Sequence, residues 1–269
     1  MRYILRYDDP NEGEISAELR DALSRALSSS ISDITEPLDE SKSKQWIQDA
    51  LLINDHTTPK SKLARIDLNQ ISLKSFKDLL DHPNRPESVF DIEWLNDFLV
   101  FEVAKHPKTP AKTLDELSRH KDFNFQLAVL KNPNTSDETL LTMLDRPSQE
   151  IYKTVIARED LSTEVVDKMA KKVESINGIT TELLRKISTH DQLSDEALAA
   201  MVVSKDIKIR SAAVHSSKLS DDQLMTLAKD DSQAVRITVA KVDRDYPLAI
   251  WKTLASDSSQ FVLEFLCQN

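Results

Sequence analysis

Glycine is nearly absent, with two residues, Gly13 and Gly178, in a chain of 269. A Gly-rich phosphate loop or a dinucleotide fingerprint needs several glycines at fixed spacing, so both are excluded. Cysteine occurs once, as Cys267. That rules out an intrachain disulfide and a Cys-x-x-Cys zinc site, and it fits a reducing compartment. None of the six histidines lies in a His-Glu-x-x-His pattern, the helical arrangement of zinc proteases. No apolar run approaches the ~18 residues of a membrane span. The apolar stretch near the N-terminus, Tyr3-Ile-Leu5, is too short for a signal peptide, and Asp8 and Asp9 follow it. The expectation is a cytoplasmic protein with no metal, no cofactor and no membrane partner. Positive charge is also short, with 35 Lys and Arg against 45 Asp and Glu, a net charge of −10. Proteins that hold nucleic acid usually show a basic balance or stripe, so nucleic acid is the less favoured partner.

What is present is a repeat. Hydrophobic residues make up 40% of the chain, enough to build cores, and they recur in register. The stretch Asp206-Ile-Lys-Ile-Arg210-Ser-Ala-Ala-Val214 leads into Leu219-Ser-Asp-Asp-Gln-Leu224 and then starts again as Ser232-Gln-Ala-Val-Arg236. This reads as one pair of helices followed by the first half of the next. Along the chain one column of the first helix runs Leu99, Phe125, Ile151, Leu183, Ile209, Val235, Phe261. Four residues later come Val103, Val129, Val155, Ile187, Ala213, Val239, Phe265. Three residues before the first column stand Asn96, Asp122, Ser148, Thr180, Asp206, Ser232 and Ser258, all N-capping types.

The second helix has its own marks. Apolar anchors Leu63, Phe90, Leu114, Leu140, Val166, Leu198, Leu224 and Trp251 each follow a turn residue by five positions. Three further on lie Ile66, Glu93, Leu117, Met143, Met169, Met201, Leu227 and Leu254. Glu93 breaks that column, and Trp94 beside it is expected to pack in its place. Directly after the turn residue stand Pro59, Pro86, Pro110 and Pro247, suited to a first helical position, or the capping serines Ser136, Ser162, Ser194 and Ser220. Acidic residues follow the serines and complement the helix dipole. The register is broken once. From Ile151 to Leu183 the step is six residues longer, which places an irregular insertion near 174–179, around Gly178.

A single repeat buries roughly six apolar side chains at ~1.5–3 kcal/mol each. Ordering its backbone and side chains costs ~1.5 kcal/mol per residue. One repeat therefore falls short alone, and neighbours must share their faces. The expected fold is all-α, a right-handed α-α superhelix (solenoid) of short helix pairs, ARM/HEAT-like, elongated or curved. Residues 1–45 read as an N-terminal helical cap, with Ile15, Leu19, Ala22, Leu23 and Ala26 on one face of Glu14–Leu27, and 46–269 as the repeat array.

The segments Val103-Ala-Lys-His-Pro107-Lys-Thr-Pro110 and Val129-Leu-Lys-Asn-Pro133-Asn-Thr135-Ser resemble the leucine-rich repeat variant. Asp206-x-x-Ile-Arg210 and Ser232-x-x-Val-Arg236 are similar to HEAT repeats. The resemblance covers roughly 46–269 and implies architecture more than function. Some variant-repeat proteins carry a cysteine cluster for an iron–sulfur centre, and a lone cysteine does not carry that over.

For function, one column stands apart. Beside the apolar stripe come Val100, Gln126, Tyr152, Leu184, Arg210, Arg236 and Val262. A flank position of changing chemistry is where a solenoid reads a partner, so Gln126, Tyr152, Arg210 and Arg236 are the candidate partner-binding residues, at or near the surface. The two arginines would take a carboxylate or phosphate of the partner. The competing account is a structural ladder bonded to neighbouring loop carbonyls. His82, His106 and His190 share a repeat position with Asn132 and Arg158. A metal ladder would need reach across helices ~8–10 Å apart, so helix C-terminal polar residues that satisfy late carbonyls are the simpler reading. Trp46, Trp94 and Trp251 are the side chains suited to base stacking, although Trp94 and Trp251 are expected to pack. Nothing places a serine on a strained turn, and hydrolysis has no motif behind it. The chain is expected to be a non-enzymatic protein-interaction scaffold whose partner is another protein. The alternative is a nucleic-acid-binding or base-repair protein of HEAT-like build.

Overall fold

The computed structural model describes residues 40–267. The helix expected over Glu14–Leu27 and most of the N-terminal cap lie outside the described residues, as does the side chain of Trp46. Among the described residues the chain forms sixteen α-helices, four short 3-10 turns and no strand. Two compact units divide between Lys108 and Thr109.

The first unit contains α1 (Glu40–Asn54), α2 (Lys60–Leu63), α3 (Leu73–Asp81) and α4 (Asp97–Lys105). Helix α1 packs on α2 and α3, and α3 on α4. Ile53, Leu63, Phe76, Leu79, Leu80 and Val103 are buried among them. The second helix expected after Pro86 does not form. Two 3-10 turns, Glu87–Phe90 and Ile92–Trp94, replace it. Ser88, Val89, Asp91 and Ile92 are weak helix formers, and Asp91 turns the backbone extended at φ −83, ψ 95. Phe90 still anchors in the core, but the break ends the helical register that would bring residue 94 beneath it. Trp94, expected to pack, is instead 71% exposed.

The second unit holds α5 (Ala111–Leu117), α6 (Phe123–Lys131), α7 (Asp137–Met143), α8 (Gln149–Ile156), α9 (Thr163–Lys172) and α10 (Thr181–Ser188). It continues with α11 (Asp195–Val202), α12 (Ile207–Ala213), α13 (Asp221–Ala228), α14 (Gln233–Lys241), α15 (Leu248–Ala255) and α16 (Gln260–Leu266). Even-numbered members are the first helices of the pairs and odd-numbered members the second. Each first helix packs on the next first helix, α6 on α8 and so on to α16. The second helices do the same from α7 to α15. The two series also touch along α9–α10, α11–α12, α13–α14 and α15–α16. Val129, Val155, Ile187, Ala213 and Val239 fill the seam between them with no exposed surface, which is the burial a lone repeat lacks.

Capping sets where these helices start. Asp122, Ser148, Thr180 and Asp206 each accept a hydrogen bond from a backbone N–H of the first turn. Ser136, Ser162, Ser194 and Ser220 do the same for second helices, and Gln223 completes a capping box with Ser220. The prolines of the same slot sit at the N-cap rather than at the first helical position, with ψ of 142 at Pro110 and 144 at Pro59 and Pro247. They preset the extended entry but supply no capping oxygen. The turn residues close the pair from the other side. The Thr135 hydroxyl donates to Val129 O at 2.5 Å, and the Tyr246 hydroxyl to Val239 O at 2.6 Å, the equivalent carbonyl in another repeat.

One expectation is corrected here. The N-cap position of the last helix is Ser259, not Ser258, and its side chain makes no capping bond. The buried residue of this helix is Val262, while Phe261 is 58% exposed. The extra residue lies in the turn between α14 and α15, where Tyr246 follows Val239 by seven positions and Thr135 follows Val129 by six, so the last helix starts one residue later. Val262 then stands three residues after its cap, as Val235 does after Ser232. Phe265 is half-buried, with Lys241 Nζ 3.9 Å from its ring centre. The irregular insertion takes the form of an extended helix end. It lengthens α9 to Lys172, adds the 3-10 turn Val173–Ser175 and reverses at Gly178, whose φ is +72. Val173, Ile176 and Ile179 are all buried.

Candidate functional site

The flank column does not lie open. Arg210 on α12 points along the stack to the loop that follows the next second helix. Its Nε and Nη2 donate to the Asp230 carboxylate at 2.7 and 3.0 Å, and its Nη1 to Ser204 O and Lys205 O. Arg236 on α14 repeats this arrangement with Asp257 at 2.7 and 3.2 Å and with Asp230 O and Asp231 O. The carboxylate expected from a partner comes from the chain itself. Gln126 on α6 forms the same rung with reversed polarity. Its Oε1 accepts from Arg146 Nη1 at 2.7 Å, and its Nε2 donates to His120 O at 2.7 Å. Tyr152 on α8, expected at the surface, has no exposed area, and its hydroxyl reaches Leu144 O at 3.4 Å. The residues share a register, and the structure uses them as rungs between loops.

The electrostatics follow from that use. The Arg236 guanidinium holds the Asp257 carboxyl below the usual carboxylate range. Burial pushes the Asp230 carboxyl up, but the bonds from Arg210 and the Ser232 N–H outweigh it and leave it lowered. Burial pushes the Tyr152 phenol up to about 12. These are shifts of a packed polar seam, and none points at a reacting atom.

The histidine column binds backbone. His82 Nδ1 accepts from Asn84 N, and its Nε2 meets Asp55 O at 3.1 Å in the preceding loop. His106, Asn132 and His190 accept the same i+2 N–H. Two positions on, Asn84, Asn134 and Lys218 donate to carbonyls of the loop before, at Thr58, Thr109 and Leu193. Arg158 donates to Leu130 O and Asn132 O. Among the described residues no group of three or more His, Cys, Asp or Glu gathers as a metal site.

Two grooves remain. One, of about 560 Å³, lies against α7 and α9 and is lined by Leu141, Thr163, Glu164, Asp167, Lys168, Lys171 and Lys172. Its charges are largely satisfied within the chain. Lys168 binds Leu141 O and Asp145, Lys172 binds Asp145, and Asp167 accepts from Ser194 N and Oγ. The other, of about 210 Å³, lies in the first unit and is lined by Leu63, Ala64, Ile66, Leu68, Asn69, Ser88 and Leu95, with Asp67, Asp91 and Trp94. Phe98, four residues beyond Trp94, is 81% exposed. The sequence placed Trp94 in the core, so this surface was missed. The signal was Glu93, an acidic residue where every other repeat has an apolar one.

No family model, no curated protein and no solved structure matches the chain.

Proposed function

We propose that the chain is a non-enzymatic protein-interaction scaffold. The observation that carries this reading is Trp94, a large aromatic side chain that lines a groove and is largely exposed, with Phe98, also exposed, four residues on. Aromatic residues of this kind dominate the energetics of protein interfaces. The remainder of the proposal is architectural. The helix pairs of residues 109–269 form a right-handed solenoid like those of leucine-rich-variant and HEAT-like repeats, which the layer-by-layer packing of like helices supports. Stacks of this kind serve as extended binding surfaces. A cytoplasmic setting belongs to the same proposal and rests on a single free cysteine. No helix among the described residues is long and apolar enough to cross a membrane.

Nucleic-acid binding is the weaker alternative. Trp94 offers a stacking surface, but Asp67 and Asp91 line the same groove and Glu93 and Asp97 flank it in sequence. The two carboxylates that line it oppose a phosphate backbone. The test is retention by the immobilised chain at near-physiological salt, followed by reconstitution with the purified candidate. A protein partner that rebinds in purified form, and is lost on Trp94→Ala, is the expected result. Retention of nucleic acid under the same conditions, with no protein that rebinds, overturns the scaffold.

A further inference from the structure

Trp94 is exposed but not loosely held. Asn69 Nδ2 donates to Trp94 O at 2.7 Å, and Asn69 Oδ1 accepts from Asn96 N at 3.1 Å and from Asn96 Nδ2 at 3.2 Å. One asparagine therefore fixes the backbone on both sides of Leu95. Asn96 in turn caps α4 through Leu99 N. The backbone that carries the indole is therefore held in place, so little backbone ordering is left to do on binding. The groove it overlooks, at about 210 Å³, lies below the ~300 Å³ where small-molecule pockets begin. It suits one side chain rather than a whole ligand.

The lining decides which side chain. Leu63 and Ile66 give an apolar floor, and Asp67 and Asp91 stand at the rim. Asp67 Oδ1 is used by Asn69 N, and the Asp91 side chain caps nothing. An indole face beside two carboxylates attracts a cation whose stem is apolar, which describes lysine and arginine. A neutral apolar side chain would leave the carboxylates unused, and an acidic one would be repelled.

We propose that this groove docks a lysine or arginine side chain from an extended segment of a protein partner, the cation seated on Trp94 between Asp67 and Asp91. The inference rests on the scaffold reading and adds the chemistry of what that scaffold holds.

The test titrates four probes onto the full chain by calorimetry: short arginine–alanine, lysine–alanine and glutamate–alanine peptides, and oligothymidylate. The two basic peptides are expected to bind, more weakly as salt rises. Trp94→Ala should weaken them about tenfold, Trp94→Phe less, and Asp91→Asn should weaken them and flatten the salt dependence. Because Trp94 is exposed, its variants should melt with the wild type. Basic peptides that bind equally well to Trp94→Ala would show general attraction to an acidic chain and overturn the proposal. Binding of the glutamate peptide or oligothymidylate through Trp94 would also overturn it. If no basic peptide binds, yet a purified protein partner does and is lost on Trp94→Ala, the basic side chain is wrong and the scaffold stands. If neither binds, both readings fall.

Discussion

Arg210 and Arg236 show what a polar residue beside a core stripe does when the next loop offers a carboxylate. Their side chains are 16% exposed and those of Asp230 and Asp257 are 8% and 6%, so each pair is nearly out of water. Removing one partner strands the other. Arg236→Ala is therefore expected to cost on the order of 3 kcal/mol, read by urea denaturation. The two rungs share Asp230, whose side chain serves Arg210 and whose carbonyl serves Arg236. Their single variants should then be non-additive in a double-mutant cycle by about 0.5–3 kcal/mol. If the effects simply add, the rungs are independent. Tyr152 predicts differently. Its 3.4 Å bond is long, so Tyr152→Phe should cost roughly 1 kcal/mol or less, whereas Tyr152→Ala should cost about 3–5 kcal/mol from the cavity. A costly Phe variant would mean the hydroxyl matters more than its length suggests.

Among the elements, the insertion is the sharpest test. It buries Val173, Ile176 and Ile179, and Ser204 Oγ donates to Glu174 at 2.5 Å. Limited proteolysis is expected to spare 173–179 as it spares the helices on either side, and early cleavage there would contradict the packing. Gly178 needs its positive φ, and open space surrounds the place of a Cβ. Gly178→Ala should thus cost only the left-handed backbone penalty, about 1–2 kcal/mol, measured by thermal melting. The helix positions and their buried columns were legible because capping residues and apolar spacing recur together, as at Ser136 with Leu140 and Met143. The failures were places where one residue shifted the frame. An extra residue between Val239 and Tyr246 moved burial from Phe261 to Val262, and a run of weak helix formers turned a helix into 3-10 turns at Trp94. The flank column was legible as a register and not as a role. Nothing in the spacing tells whether the carboxylate facing Arg236 belongs to a partner or to Asp257, since that depends on which loop the stack brings alongside.

For the molecule as a whole, acid is the revealing variable. Burial holds His106, His190 and His215 below the ordinary histidine value. The unfolded chain then binds protons more readily, so stability is full above about pH 6.5 and declines as pH falls. Asp230 and Asp257 are also lowered, so a second loss should begin below about pH 4. Calorimetric melting across this range should show both declines, and Asp257→Asn should shrink the lower one. A melting temperature flat from neutral pH to about 5 would contradict the histidine contribution. The reversed rung at Gln126 and Arg146 bears on how such a chain can be recombined. A block cut from one first-helix cap to the next, such as Asp206 to Asp231, carries both Arg210 and its Asp230. A crossover at the turn inside a pair separates them. Joining the first helix of Arg210 to the second helix and loop ending in Arg146 would set two guanidinium groups face to face in a nearly dry seam. Chimeras spliced at the caps are expected to fold, and those spliced at the inner turns to be insoluble, so the heritable module of this chain begins at the first-helix cap.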